Sequence, residues 1–168
     1  VPFDKMRQYI IDSHKRGGII TISWHTNNPL TNGNAWDTTP KSLASALPGG
    51  VSHEKFKTWL DEAAKYILTL KDDKGNLIPI LYRPYHELTG TWFWWCKNNG
   101  SPEEFKILWK FTLDYFQKKG VNNLIYVYNT ADFNSREDFL EYYPGTEYVD
   151  VLSFDKYQYS DPTKDNSF

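Results

Sequence analysis

The segment Ile19-Ile20-Thr21-Ile22-Ser23-Trp24 is a short run of β-branched and apolar residues that indicates the fold class. A run of this length and composition predicts a buried β-strand. Before it, residues Phe3 to Arg16 carry apolar side chains at helical spacing, and Gly17-Gly18 provides a stop signal for that helix. The pattern therefore predicts a helix that leads directly into a strand.

The same alternation of helix and strand continues along the chain. Ser52 and Ser101 are predicted N-caps, and Pro102 with two glutamates makes the second a strong helix start. Between His25 and Gly50, the abundance of Asn, Thr, Pro and Gly predicts a long loop. The further predicted strands cover Leu77–Arg83, Asn123–Tyr128 and Tyr148–Phe154, and the further helices cover residues 52–70, 101–119 and 135–142. Because these strands are short and continuously apolar, they indicate a parallel sheet covered on both faces.

The residues after the first strand argue against a nucleotide-binding fold. They are Thr26-Asn27-Asn28-Pro29, with no glycine pattern that could hold a phosphate. This favours an α/β (β/α)8 TIM barrel over a dinucleotide-binding sheet. Such a barrel takes about 250 residues and eight strands. Four strands in 168 residues therefore predict an incomplete barrel, a contiguous middle portion with strands missing at both ends.

Composition and charge exclude several classes of protein. Lys and Arg number 19 and Asp and Glu 21, a balance that argues against a nucleic-acid partner. No stretch approaches the roughly 18 to 20 apolar residues of a membrane span. The single Cys96 excludes an internal disulfide framework. Phe, Trp and Tyr make up 17% of the chain, which indicates either a bulky core or a sugar-binding surface, because aromatic faces match the C–H-rich face of a pyranose ring.

Polar and aromatic residues follow each predicted strand, at the edge where α/β folds place their chemistry. These positions are Trp24–Asn27, Pro84–Glu87, Asn129-Thr130 and Asp155–Tyr157. The alternative interpretation is that they are only loop caps and turn residues. Their coincidence at all four strand ends favours a functional site.

The most informative stretch runs from Leu81 to Trp95 and joins a carboxylate, Glu87, to three tryptophans and a phenylalanine. A carboxyl group beside apolar rings should have a raised pKa, because its charged form loses water. That property suits a general acid. Arg83 and His86 are close enough to orient it. Strand alternation predicts that Arg83, Tyr85 and Glu87 share a face and that His86 points elsewhere.

Structural interpretations of these residues stay open at this point. His25 and His86 could be satisfied core histidines, and Glu87 could be a surface acid. At least one of the tryptophans at positions 92, 94 and 95 is expected to serve packing alone. A metal site of His25, His86 and Glu87 is disfavoured, because the chain has no helical His-Glu-x-x-His spacing and no cysteine ligand.

The run Arg83–Trp95 resembles the signature Arg-Pro-(Phe/Tyr)-His-Glu-x-x-Gly-x-Trp-Phe-Trp-Trp of glycoside hydrolase family 26, whose best-known members are β-mannanases. Residues 17–25, with Asn28-Pro29 and Ala35-Trp36-Asp37, are similar to the family's third-strand region. Residues 149–157 are similar to its sixth-strand region. The resemblance implies a (β/α)8 barrel of which this chain, residues 1–168, is a partial catalytic domain holding roughly the third to sixth strands.

The resemblance also implies roles for residues around the cleavage point. Glu87 would be the general acid/base at the end of the fourth barrel strand. His86 would help to hold the sugar and the carboxylate in place, and Trp92 would line the site around the scissile bond.

Four further residues receive roles in the same way. His25 and Trp36 would contact sugar, and these two assignments depend on a loop whose length varies in the family. Asp155 and Tyr157 would lie near the nucleophile, with Tyr157 positioning it.

The implied activity is retaining, endo-acting hydrolysis of β-1,4-mannosidic bonds in mannan, glucomannan or galactomannan. The family's nucleophile is a glutamate on the seventh strand, which is expected outside this chain, so the fragment alone should be inactive. No cofactor and no metal are implied, and a monomer that is secreted, periplasmic or displayed on the cell surface is expected. The alternatives are a glycosidase of the same family that acts on mixed-linkage β-glucan or xylan, and a non-catalytic carbohydrate-binding protein.

Overall fold

The computed structural model describes residues 2–157, 161, 163 and 164. The predicted domain of residues 1–168 also includes positions that lie outside this described part. The helices are α1 (Phe3–Lys15), α2 (Ser42–Ala46), α3 (His53–Ile67), α4 (Pro102–Lys118) and α5 (Arg136–Leu140), and the strands are β1 (Ile20–Ser23), β2 (Ile80–Arg83), β3 (Leu124–Thr130) and β4 (Val151–Phe154). A 3-10 turn at Thr146–Tyr148 precedes β4.

The four strands form one parallel sheet in the order β1-β2-β3-β4. Ile20 pairs with Ile80, Ile80 with Leu124, and Val127 with Val151. Each strand lies beside the next strand of the sequence, so the order shows no reversal. A doubly wound sheet needs such a reversal to create its binding crevice, whereas a barrel places consecutive strands side by side. The sheet order therefore agrees with the predicted part of a barrel.

A side-chain cap of the kind that the sequence predicts is present at the start of α4 but not at the start of α3. At α4 the Ser101 hydroxyl accepts a hydrogen bond from the Glu104 N–H, and the Glu104 carboxylate accepts one from the Ser101 N–H, which together form a capping box. Pro102 occupies the first turn, as predicted. Ser52 also precedes a helix, α3, but its side chain makes no capping hydrogen bond. The prediction of a Ser52 side-chain cap was therefore wrong.

The predicted loop between His25 and Gly50 contains the short helix α2. The polar composition of the segment did not predict this helix. Its serine hydroxyl groups, which are typical of a loop, are buried and hydrogen-bonded to the backbone of the same segment. The Ser42 hydroxyl donates to the Thr39 carbonyl, and the Ser45 hydroxyl donates to the Ser42 carbonyl. The Asn28 side-chain amide donates to both Ser42 Oγ and the Asp37 carbonyl, so it ties the loop to the helix.

The core lies between the sheet and helices α3 and α4 and is built largely from aromatic side chains. Tyr85 lies at its centre, within 6.1–6.4 Å, centroid to centroid, of the rings of Trp94, Trp95, Phe105 and Trp109. The Tyr85 hydroxyl shares a 2.7 Å hydrogen bond with Thr112 Oγ1 on α4. Much of the aromatic content is therefore core.

The prediction of strands buried on both faces holds only in part, since Ile125 of the central strand β3 is 38% exposed. Asn129 and Thr130 of β3 are buried, and β3 extends past its predicted end at Tyr128 to include them. In β4, by contrast, Leu152 and Phe154 are each about half exposed. β1 and β4 are the edge strands of the described sheet, with a hydrogen-bonded neighbour on one side only. Across the described part of the chain, no helix has the length and apolarity to cross a membrane.

Candidate active site

The turn after β2 places the carboxylate by using two strained backbone positions. Tyr85 and Glu87 have φ angles of 53° and 56°, in the left-handed region that residues other than glycine seldom adopt. These two angles break the side-chain alternation of the strand. Tyr85 therefore turns into the core, while Arg83, His86 and Glu87 face the same cleft. The prediction that Tyr85 would share a face with Glu87 and that His86 would point away was wrong.

A cleft of about 340 Å³ opens at the carboxyl ends of the strands. It receives residues from the ends of β1, β2 and β4 and from the loops that follow β1 and β2. It is lined by Ser23, His25, Trp36, Arg83, His86, Glu87, Trp92, Phe93, Asp155 and Tyr157. The structure thus brings all seven residues predicted for the site into one cavity. Their roles there remain predictions.

Glu87 is held in an environment that favours its protonated form. Burial raises the pKa of its carboxyl group above the ordinary value, and the neighbouring Asp155 carboxylate raises it further by repulsion and by a hydrogen bond. Two groups act in the opposite direction: the indole of Trp92, whose Nε1–H donates to Glu87 Oε2 over 2.8 Å, and the positive charge of Arg83. The pKa is raised on balance, as predicted, because desolvation is the largest effect.

Arg83 and Asp155 form an ion pair across the sheet. The Arg83 Nη2 atom lies 2.6 Å from Asp155 Oδ2, and both side chains are mostly buried. Arg83 is on β2 and Asp155 follows β4, so the pair joins residues that are 72 positions apart. It fixes the Asp155 carboxylate beside Glu87 and neutralises part of its charge. Removing one partner should cost less than the about 3–5 kcal/mol typical of a fully buried pair, because both side chains are 22–29% exposed to the cleft.

Two histidines form the other side of the cleft. His25 Nε2 and His86 Nε2 are 3.2 Å apart, and the imidazole of His25 stacks on the indole of Trp36 with 5.2 Å between ring centroids. Burial lowers the pKa of His86 to about 4, with His25 and Arg83 adding to the effect, and burial also lowers the pKa of His25. Both rings are therefore neutral at pH 7. One Nε2 then donates and the other accepts, so the pair presents a fixed polar surface next to Phe93.

The three tryptophans of the Arg83–Trp95 segment have different tasks. Trp92 is 40% exposed and lines the cleft. Trp94 and Trp95 are wholly buried, and their indole N–H groups donate to the carbonyls of Thr26 and His86. The expectation that at least one of the three serves packing alone is met by these two. Their hydrogen bonds hold the ends of β1 and β2 in place beneath the cleft.

Some residues of the site were not identified from sequence. Phe93 and Ser23 line the cleft without having been assigned to it. Asn129 is buried next to it and accepts a hydrogen bond from the Glu87 N–H over 2.7 Å. The sequence identifies Asn129 only as a residue at a strand end. Its polar side chain at the end of an apolar strand was the available signal, since a buried amide needs partners.

The arrangement supplies one carboxyl group suited to proton transfer. Hydrolysis of a glycosidic bond with retention requires two carboxyl groups roughly 5 to 5.5 Å apart. Asp155 is the other carboxylate that lines the cleft, and it is already engaged by Arg83. Among the described residues, no group of three or more His, Cys, Asp and Glu side chains is arranged to hold a metal ion.

A second cavity, of about 360 Å³, lies at the opposite ends of the strands. It is lined by α4, by the residues before β3 and β4, and by the acidic side chains of Asp114, Glu147 and Asp150. Asp150 Oδ2 accepts a hydrogen bond from the Tyr126 N–H and so serves the start of the sheet. In (β/α)8 barrels the active site lies at the carboxyl ends of the strands, which is the end opposite this cavity. The cleft at Glu87 is therefore the candidate site.

Comparison with known proteins gives a consistent result. A family model described as glycosyl hydrolase family 26 matches residues 4–168. A mannan endo-1,4-beta-mannosidase of Bifidobacterium adolescentis is 39% identical over 165 residues, which are 96% of this chain and 16% of that protein. Endoglucanase H of Acetivibrio thermocellus is 30% identical over 105 residues, 58% of this chain and 12% of that protein.

Among solved structures, the family 26 β-mannanase BoMan26A of Bacteroides ovatus superposes with a TM-score of 0.93 at 44% identity, covering 95% of this chain and 47% of that chain. The prediction of an incomplete (β/α)8 barrel is thereby confirmed. The chain spans less than half the length of each of these relatives.

Proposed function

The chain belongs to glycosyl hydrolase family 26, and from this membership we propose that it is the central part of a retaining, endo-acting β-1,4-mannanase. The observation that carries the proposal is the Glu87 carboxyl group, which has a raised pKa and is bonded to the Trp92 indole inside a cleft at the carboxyl ends of the strands. These properties are those required of a general acid near neutral pH.

In the proposed reaction, the protonated Glu87 donates its proton to the departing glycosidic oxygen while a second carboxylate attacks the anomeric carbon. Glu87 then removes a proton from the water that hydrolyses the glycosyl-enzyme intermediate. The second carboxylate is proposed to be a glutamate supplied by another part of a longer protein. Support for this comes from the small share of the relatives that the chain spans.

The other site residues are proposed to bind and orient the sugar. Trp92 presents its ring next to the scissile bond, and the stacked pair of His25 and Trp36 offers a flat surface for a neighbouring sugar unit. His86 contributes a neutral imidazole that can bond a sugar hydroxyl without introducing charge. Asp155 and Tyr157 line the opposite wall, where the attacking carboxylate would stand.

The proposed substrate is a β-mannan, namely mannan, glucomannan or galactomannan, because the names of the most similar relatives specify mannan. The match to an endoglucanase favours one second candidate, a β-glucan. Discrimination between the two sugars depends on contacts to one or two hydroxyl groups. Since polysaccharides do not enter cells, we propose that the protein acts outside the cell, and we propose that it does so as a monomer.

The test uses the intact protein that contains this chain. Reducing-sugar release from mannan, glucomannan, galactomannan, xylan and lichenan is measured for the wild type, for Glu87→Gln and for the surface control Glu62→Gln. The expected result is activity on the mannans that falls by 10²-fold or more in Glu87→Gln and is unchanged in the control. Highest activity on lichenan would transfer the proposal to β-glucan, and binding of mannan without hydrolysis would identify a non-catalytic binding protein.

A further inference from the structure

Asn129 lies between the two strands that lead to the carboxylates of the cleft. It is the next-to-last residue of β3, which lies between β2, the strand that leads to Glu87, and β4, the strand that leads to Asp155. Its side chain is wholly enclosed, with 1% of the residue exposed. A buried primary amide has an acceptor and two donors to satisfy, so its partners report what it holds.

All of the partners of this amide belong to the neighbouring strand ends. Asn129 Oδ1 accepts from the Glu87 N–H over 2.7 Å, while Nδ2 donates to Ser153 Oγ over 2.8 Å and to Asp155 Oδ1 over 3.2 Å. The orientation of the amide is determined, because a backbone N–H can only donate. The Asn129 main chain adds a further bond, since its carbonyl accepts from the Leu88 N–H over 3.3 Å.

These bonds act on a segment of backbone that would not hold its shape alone. Glu87 has a φ of 56°, and a left-handed conformation at a residue other than glycine costs of order 1–3 kcal/mol unless surrounding contacts impose it. The amide oxygen of Asn129 is one such contact, applied at the N–H of the strained residue itself. The direction in which the Glu87 side chain leaves the backbone therefore depends on Asn129.

We propose that Asn129 is a positioning residue that aims the Glu87 carboxyl group at the leaving-group oxygen and holds Asp155 at a set distance from it. The inference rests on the proposed function, because it assigns Asn129 to the general acid of that reaction. An aspartate keeps the acceptor but loses the donors, and a serine is too short to reach both neighbouring strands.

The chain offers a matched control on the same strand. Asn123 precedes β3 at its opposite end, and its Nδ2 donates to the Ile78 carbonyl over 2.7 Å. Its side chain is therefore also bonded to the backbone of the β2 segment, as a donor, at the end of the strand opposite the cleft. Asn123→Ser removes this one bond, whereas Asn129→Ser removes the bonds to Glu87, Ser153 and Asp155, so only the second acts on Glu87.

The experiment compares two leaving groups in the intact protein that contains this chain. The leaving group of mannan is a sugar alkoxide, which is poor and needs a proton to depart. The leaving group of a dinitrophenyl β-mannobioside is a stable phenolate, which departs without one. The ratio kcat/KM reports the step in which the leaving group departs, so it isolates the proton donation. Thermal unfolding of each variant verifies that it is folded.

For Asn129→Ser, kcat/KM on mannan is expected to fall by about 10- to 100-fold while kcat/KM on the aryl substrate changes by less than about 3-fold. Asn123→Ser should change neither. If Asn129→Ser does not fold, Asn129→Leu, which nearly keeps the volume but removes the acceptor for the Glu87 N–H, is expected to show the same selective loss at about 10-fold. Equal losses on both substrates, or no loss on either, would overturn the inference.

A failure of the proposed function would look different. Glu87→Gln must itself show the selective loss on mannan if Glu87 is the general acid. If Glu87→Gln lacks it, the proposed function fails. If Glu87→Gln shows it and the Asn129 variants do not, the proposed function stands and only the role of Asn129 is refuted.

Discussion

Replacing Trp92 by phenylalanine tests the electrostatic account of Glu87 with little change in shape. The substitution removes the indole N–H that donates to Glu87 Oε2 over 2.8 Å, but it keeps a flat aromatic ring at the edge of the cleft. This hydrogen bond stabilises the charged carboxylate and so lowers the pKa of Glu87, against the larger effect of burial. Its loss should therefore raise the pKa of Glu87 further.

The size of the shift follows from the strength of the bond. A hydrogen bond to a charged group contributes about 1.5–3 kcal/mol, and one pKa unit corresponds to about 1.4 kcal/mol. Trp92 is 40% exposed, so water can replace part of what the carboxylate loses. The low end of the range applies, which gives a rise of about one pKa unit. Because Glu87 must be protonated to act as an acid, activity should persist to a pH about one unit higher.

The assay is the pH dependence of kcat/KM on mannan for the intact protein, in which the basic limb reports the general acid of the free enzyme. Trp94→Phe is the matched control. It removes an indole N–H that donates to the Thr26 carbonyl over 3.0 Å, in the core and not at Glu87. It should lower stability and leave the basic limb in place. A basic limb that stays fixed or moves to lower pH in Trp92→Phe would refute the reasoning.

Two further predictions concern the same segment. A Cβ atom at Gly90 would lie 2.5 Å from Cζ2 of the Trp92 ring, so Gly90→Ala should displace the indole and shift the basic limb of kcat/KM upward as Trp92→Phe does; an unshifted limb would contradict this. The pKa of His86 is lowered to about 4 from 6.5, so the unfolded chain binds more protons between these values. Stability is then complete above pH 6.5 and falls by up to about 3 kcal/mol as the pH approaches 4. Denaturant unfolding at pH 4.5 and 7.5 should show a smaller difference for His86→Phe than for the wild type; equal differences would argue against this.

Local chemistry explains which elements could be predicted. The helix α4 was placed correctly because Ser101, Pro102 and Glu104 interact with one another within a single turn. The strands were found because apolar runs bounded by turn residues are local patterns as well. The short helix α2 was missed because Asn28, fourteen residues before Ser42, supplies the hydrogen bond that ties it to its loop.

The candidate site also divides into features that local sequence predicts and features that depend on distant residues. That Glu87 is a candidate acid beside aromatic rings could be predicted from one segment. The resemblance to a family assigned six further residues of the cleft, but not Ser23 or Phe93. The different tasks of Trp92 and of the buried Trp94 and Trp95 could not be read, because the three are nearly adjacent and identical in type. Their burial depends on residues outside the segment, such as Phe56 on α3, whose ring contacts that of Trp94.

By itself, the sequence determined the succession of helices and strands, the polar ends of the strands and the identity of the carboxyl group, since these depend on residues close together in the chain. The tertiary structure alone decided where that carboxyl group points. The left-handed backbone at Tyr85 and Glu87 is unfavourable locally and is stabilised by distant residues: Asn129, 42 residues away, accepts from the Glu87 N–H, and Thr112, 27 residues away, bonds the Tyr85 hydroxyl in the core. Local preference and long-range contact oppose each other at this turn, and the long-range contacts prevail because they are buried from water.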